Sequence, residues 1–199
     1  MRKRAELRKA EIVQTVLDLA DQIGPDRVTT NAVAGEIDVT QAALFRHFPS
    51  KATLWQSVAE QLAETVAAAW EAALQGAEGP EARILALIGA QLSQIEATPA
   101  LPMLLFSREL NVENDALRGV FRTQLARFHA LLLAEVDEAQ KQALFRPDIP
   151  ADDVVVLLTS LVQGVAIRWA LGKRDFSLLD TGLRLLNAQL RLLSTDERT

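Results

Sequence analysis

Thr29-Thr30-Asn31-Ala32-Val33-Ala34-Gly35-Glu36-Ile37-Asp38-Val39-Thr40-Gln41-Ala42-Ala43-Leu44-Phe45-Arg46-His47-Phe48-Pro49-Ser50-Lys51 reads as two short helical patterns folded around a turn. Val33, Ala34, Ile37, Val39, Leu44 and Phe48 make one small apolar face. Thr29, Thr30, Thr40, Gln41, Arg46, His47 and Lys51 are left on the other side. Two helices joined by a tight turn, the second polar and exposed, form a helix-turn-helix pattern. Thr29 or Thr30 is expected to cap the first of the pair, which runs to about Ile37, and Thr40 to cap the second. Asp38 falls in the turn, where a left-handed backbone is often needed and Asp tolerates it well. Pro49 ends the second helix and Ser50 caps the next.

On the N-terminal side, Ile12, Val16, Leu19, Ala20 and Ile23 recur at helical spacing and predict a helix over 4–23. Gly24-Pro25-Asp26 stops it, because Gly suits a helix C-terminus and Pro cannot continue the ladder. On the other side a long helix is expected over 51–75, with Trp55, Val58, Leu62, Val66, Ala69, Trp70 and Ala73 as its buried stripe. Gly76-Ala77-Glu78-Gly79-Pro80 breaks it. A fifth helix follows at 81–97, then Thr98-Pro99-Ala100-Leu101-Pro102 interrupts and a short sixth covers 103–112. Asn114 or Asp115 opens the seventh. Asp152 and Asp153 lie in the first turn of the eighth, where negative charge suits the helix dipole. Gly172 closes it, and Asp175 is expected to cap a ninth helix over 176–193.

The eighth helix is apolar nearly all round, and such a helix needs partners on more than one face. It is either a core helix of one subunit or half of an interface. The interface is the preferred reading, because a head with one short reading helix needs a second head for affinity. Helices eight and nine are expected to pair with their copies in a second subunit. Val155, Leu158, Val162 and Trp169 of the eighth and Leu179, Leu186 and Leu190 of the ninth are the expected contacts. The fold class is therefore all-α with about nine helices. It divides into a head at 1–50 and a helical regulatory and dimerisation domain at 51–199.

Composition narrows the functions. The chain has 199 residues, of which 49% are hydrophobic, enough for a core. No Cys is present, which removes disulfides, thiolate metal sites and cysteine nucleophiles together. No apolar run approaches the roughly 18 residues needed to span a bilayer, and the basic Met1-Arg2-Lys3-Arg4 leads into no apolar signal segment. A soluble, cytoplasmic protein without membrane contact is expected. Net charge is −5, but residues 1–51 hold eight Lys/Arg against seven Asp/Glu, leaving +1 there and −6 for the remainder. A local basic footprint matters more for phosphate binding than total charge. With two His, no His-Glu-x-x-His spacing and no Gly-rich phosphate loop, catalysis, a metal and a cofactor are not expected.

Val28-Thr29-Thr30, Val33-Ala34, Val39-Thr40, Leu44-Phe45, His47-Phe48, Ser50-Lys51 and Leu54, in that order, resemble the TetR family of bacterial transcriptional regulators. The specific resemblance covers roughly residues 8–55. Three positions depart from that family's pattern. Asp38 stands for a turn Gly, Ala42 for a Gly, and Phe45 for the usual Tyr, which removes a phosphate hydrogen bond. The resemblance implies a dimeric repressor that binds double-stranded DNA at a palindromic operator and is released by a small-molecule effector.

Reading helices present their N-terminal residues to base edges in the major groove. Gln41 is the expected reader of adenine, Ala42 an apolar contact to a thymine methyl, and Arg46 a reader of guanine or a phosphate clamp. Thr29, Thr30, Thr40, His47 and Lys51 are expected at phosphates, Phe45 against the sugar–phosphate backbone, and Arg4 at backbone or minor groove. Trp70, Met103, Phe106, Phe121 and Phe128 are the apolar residues expected around an effector, which they suggest is apolar. Arg108, Gln124, Gln163 and Arg168 are polar groups set against apolar faces, and buried polar groups need partners. An architectural, chromosome-associated DNA binder controlled by a protein partner is the alternative function.

Overall fold

The computed structural model describes residues 2–107 and 112–195, with side chains from residue 6 onward except that of Phe106. Among the described residues the chain is all-α, in nine helices. These are α1 (Arg2–Ile23), α2 (Thr30–Glu36), α3 (Gln41–His47), α4 (Lys51–Gln75), α5 (Pro80–Ala97), α6 (Ala100–Phe106), α7 (Asp115–Lys141), α8 (Ala151–Leu171) and α9 (Leu178–Leu193). A 3-10 turn, Pro25–Arg27, joins α1 to α2. Packing groups residues 1–64 with 98–123 as one compact unit and 65–97 with 124–199 as another. The first half of α4, α6 and the start of α7 thus group with residues 1–50.

In the first unit, α1 packs on the 3-10 turn, α2 and α6. Gly24 ends α1 at φ +86, a left-handed position that Gly enters without a Cβ penalty. The core is built from Ile12, Val16, Ala20, Val33, Ala34, Leu44, Phe48, Leu54, Trp55 and Val58, all buried. Ile37 and Val39 are half-exposed, so the apolar face of the opening stretch is narrower than its sequence suggests. At the start of α4, Ser50 and Thr53 cap reciprocally. The Thr53 N–H donates to Ser50 Oγ (3.1 Å) and the Ser50 N–H to Thr53 Oγ1 (3.0 Å). This is a capping box with Thr in the Glu position.

The interruption is shorter than 98–102, being Thr98 and Pro99 alone. Pro99 is the N-cap of α6, and Pro102 lies inside its first turn. Backbone N–H groups there have no intrahelical acceptor, so a Pro removes nothing. Two long-range hydrogen bonds tie this segment into the unit. Ser107 Oγ, buried, donates to Asp26 Oδ1 at 2.5 Å. Asn114 Nδ2 donates to the Ala52 carbonyl at 3.0 Å, while its Oδ1 caps α7 by accepting the Leu117 N–H.

In the second unit α5, α8 and α9 pack on one another. The buried line of α9 is Leu178, Gly182, Leu186 and Leu190, one residue every four. Gly182 lets α5 close in, since a Cβ there would sit 2.4 Å from Leu92 Cδ1. The cap of α9 is Ser177 rather than Asp175. Glu96 of α5 adds a second acceptor by taking the Leu178 N–H at 2.9 Å. Glu96→Ala is expected to cost about 1–2 kcal/mol, because it leaves a helix-terminal donor unmade and removes a charge suited to the dipole. Thermal melting of the variant checks this.

One correction concerns hydropathy. By length and composition α8 is long and apolar enough to cross a membrane. Single Thr, Ser, Gln and Gly residues break up its apolar run without lowering the average much. Val154, Val155, Leu158, Val162, Val165, Ala166 and Trp169 are buried within the chain, as a core helix requires.

Candidate nucleic-acid interface

The turn between α2 and α3 is set by backbone chemistry. Asp38 takes φ +51, and Val39 N–H bonds back to the Ala34 carbonyl at 2.9 Å. Thr29 caps α2 by accepting the Ala32 N–H (3.1 Å), and Thr40 caps α3 by accepting the Ala43 N–H (3.2 Å). A hydroxyl that accepts an N–H keeps its own proton to donate, so capping and phosphate contact are compatible at both. Thr30 is no cap. Its Oγ1 accepts from Gln41 Nε2 at 2.8 Å.

Gln41, Ala42, Phe45 and Arg46 share one face of α3, at i, i+1, i+4 and i+5. Ala42, Phe45 and Arg46 are exposed, whereas Gln41 is half-buried. Leu44 and Phe48, on the opposite face, are buried and hold α3 in place. Arg46 and His47 lie in the last helical turn, where their charge also suits the dipole. His47 and Lys51 are half-buried beside this edge in sequence. The side chain of Arg4 lies outside the described residues.

Of the expected effector residues, Trp70 and Phe128 are brought into direct contact. Trp70 stacks on Phe128 with centroids 4.8 Å apart, and its Nε1–H donates to Gln91 Oε1 at 3.0 Å. Gln91 was not anticipated, since a lone Gln on a helix carries no sequence signal. Phe121 is buried and Gln124 half-buried, while Met103 is 37% exposed. Gln163 and Arg168 are exposed and need no buried partner, which corrects the reading of them as polar groups inside an apolar face. Arg108 and the Phe106 side chain lie outside the described residues. Glu135 pairs with Arg83 at 3.2 Å, and His129 lies 3.8 Å from Asp152. Among the described residues no three His, Cys, Asp or Glu side chains gather as a metal set.

The interface residues also need correction. Val155, Leu158, Val162, Trp169, Leu186 and Leu190 are buried within the single chain and present no surface, and Leu179 is half-buried. The apolar surface of α8 is a different line: Leu157, Ser160, Gly164, Ile167 and Leu171, with Val156 beside it. Leu157 is 48%, Ile167 36% and Leu171 80% exposed. Their 3-4-3-4 spacing is that of a helix-pairing seam.

Two family models match the chain. Residues 12–58 match bacterial regulatory proteins of the tetR family, and residues 80–193 match the C-terminal part of BetI-type transcriptional repressors. Among curated relatives, nucleoid occlusion factor SlmA of Marinomonas sp. is 27% identical over 157 residues, 79% of this chain and 80% of that protein. Among solved structures, the ketosteroid transcriptional regulator KstR2 of Mycobacterium tuberculosis superposes with TM-score 0.80 at 15% identity, covering 95% of this chain and 96% of that one. A transcriptional regulator of Saccharomonospora viridis in complex with choline gives TM-score 0.81 at 22% identity, covering 94% and 96%.

Proposed function

The chain belongs to the TetR family of bacterial transcriptional regulators, and from that premise we propose that it is a homodimeric repressor which a small, largely apolar ligand releases from a palindromic operator. Regulators of this family are soluble, bind DNA, dimerise and take small-molecule ligands. Family and fold are those of regulators, not enzymes. Repression follows the description of the family that the C-terminal half matches. The operator shape follows from symmetry: two copies paired along the Leu157–Leu171 seam of α8 carry two heads related by a twofold axis. Heads spaced about 34 Å apart meet successive major grooves.

The observation that carries the head's role is the face of exposed Ala42, Phe45 and Arg46 with half-buried Gln41, on a helix pinned by Leu44 and Phe48. Gln41 and Arg46 read bases, and Thr29, Thr40, His47 and Lys51 hold phosphates. His47→Ala and Lys51→Ala therefore weaken binding to all duplexes alike, and Lys51→Ala also lowers the salt slope by about 1. Gln41→Ala instead changes base preference. Fluorescence anisotropy with specific and random duplexes across salt concentrations separates the two behaviours. A Lys51→Ala protein with an unchanged salt slope removes Lys51 from the phosphate set.

Release is a population shift, limited by the ligand's differential affinity for the two dimer conformations. The candidate ligand region is the buried Trp70–Phe128 stack, which Gln91 joins by a hydrogen bond to Trp70. The Ser107–Asp26 and Asn114–Ala52 bonds tie 98–123 to the head's unit, so displacement of that segment strains the α1–α2 connection and the start of α4. Titration of apolar compounds and of choline against Trp fluorescence, with release of labelled operator as the second readout, tests the ligand class. Choline acting alone points to a cation held by aromatic faces.

A second reading has its own support. The relative named nucleoid occlusion factor suggests a chromosome-associated DNA binder that answers to a protein partner. Genome-wide mapping of bound sites separates the two: many dispersed sites favour that role, and a single promoter favours local repression in the cytoplasm.

A further inference from the structure

We propose that Thr30 sets the base preference of the head without touching a base, by holding the Gln41 amide in one orientation. Gln41 Nε2 donates to Thr30 Oγ1 at 2.8 Å, joining α3 to α2 across eleven positions, and both side chains are half-buried. Capping of α2 is already done by Thr29, so the Thr30 hydroxyl has no local backbone duty. A Gln side chain is rich in rotamers, and its amide can present either end to a partner.

In the structure the amide's nitrogen end, not its oxygen, faces Thr30 Oγ1. One of the two Nε2 protons is committed, which leaves one N–H and the carbonyl oxygen of the same amide. A donor and an acceptor side by side match the N7 acceptor and N6 donor of adenine in the major groove. The Thr30 hydroxyl accepts from Gln41 and keeps its own proton, which can donate to a phosphate oxygen. Thr30 then links the register of the head on the backbone to the orientation of the reading group. It is a positioning residue, acting through Gln41, and this role rests on Gln41 reading a base.

The experiment is in-vitro selection from a randomised duplex library with the full-length protein and with Thr30→Val, Thr30→Ser, Gln41→Ala and the Thr30→Val/Gln41→Ala pair. Thr30→Val keeps the shape and loses the hydroxyl, while Thr30→Ser keeps the hydroxyl. The expected result is a preference for adenine at one position of each half-site, reduced about tenfold by Thr30→Val at that position alone. Thr30→Ser retains it, and Thr30→Val adds no further loss of preference in the Gln41→Ala background. Thr30→Val with an unchanged profile and uniformly weaker binding overturns the proposal and leaves Thr30 a phosphate contact. An unchanged profile in Gln41→Ala overturns it while DNA reading by the head stands. A wild-type protein that selects no sequence overturns the reading of the head itself.

Discussion

Leu157→Asp combined with Ile167→Asp is expected to give a folded monomer whose operator affinity has fallen by about a hundredfold or more. Both side chains are part-exposed in the single chain, Leu157 by 48% and Ile167 by 36%, so neither replacement opens a closed cavity. Across a twofold seam each substitution acts twice, placing four carboxylates in what was apolar contact. Buried charges without partners cost far more than lost methyl contacts contribute. Two linked heads bind as one unit with a high effective concentration for the second half-site. Linkage of that kind multiplies affinity by about 10²–10⁴, and a monomer forfeits it. Sedimentation shows the oligomeric state, circular dichroism the retained helix, and anisotropy the loss on DNA. Val155→Asp is the contrasting control: it is buried inside the chain and should unfold the second unit. A Leu157→Asp/Ile167→Asp protein that remains dimeric removes α8 from the interface.

This contrast marks where sequence reading reached its limit. In the head, caps and breakers are local signals, and Thr29, Asp38, Thr40 and Gly24 hold the positions that their chemistry implies. In α8 the period itself was missing. With Val154 to Leu158 all apolar, nothing in the sequence says which side faces the core, and inward and outward residues look alike. The outward line contains Ser160 and Gly164, small residues that hydrophobicity alone passes over. For α6 the error was one of rule: a Pro was read as a breaker where the first helical turn accepts it. The Ser107–Asp26 bond spans 81 positions and the Gln41–Thr30 bond depends on one rotamer, so neither leaves a trace in local pattern.

Gly182→Val is expected to destabilise the second unit by about 1–3 kcal/mol, the usual range for overpacking a closed core. A Cβ at residue 182 would lie 2.4 Å from Leu92 Cδ1, 3.1 Å from Cδ2 and 3.3 Å from Cγ. Leu92 is fully buried, so its side chain cannot swing into solvent to make room. Replacing a mid-helix Gly normally helps, because Gly is a poor helix former by about 1 kcal/mol against Ala. Gly182→Ala therefore sets two effects of opposite sign against each other. Steric overlap wins, because the Leu92 side chain it meets is fully buried. For a chain of this size the Val variant should melt on the order of 10 °C lower. Leu92→Ala in the same background should recover part of that loss, because it vacates the volume the new side chain needs. Residues in contact give such non-additive cycles, and distant ones do not. In the proposed dimer the consequence reaches DNA binding, since α9 packs along α8. Gly182→Val should weaken the dimer and the operator complex together with loss of thermal stability. The seam variants lose both while the fold stands. Gly182→Ala melting above the wild type would show that α5 and α9 lie further apart.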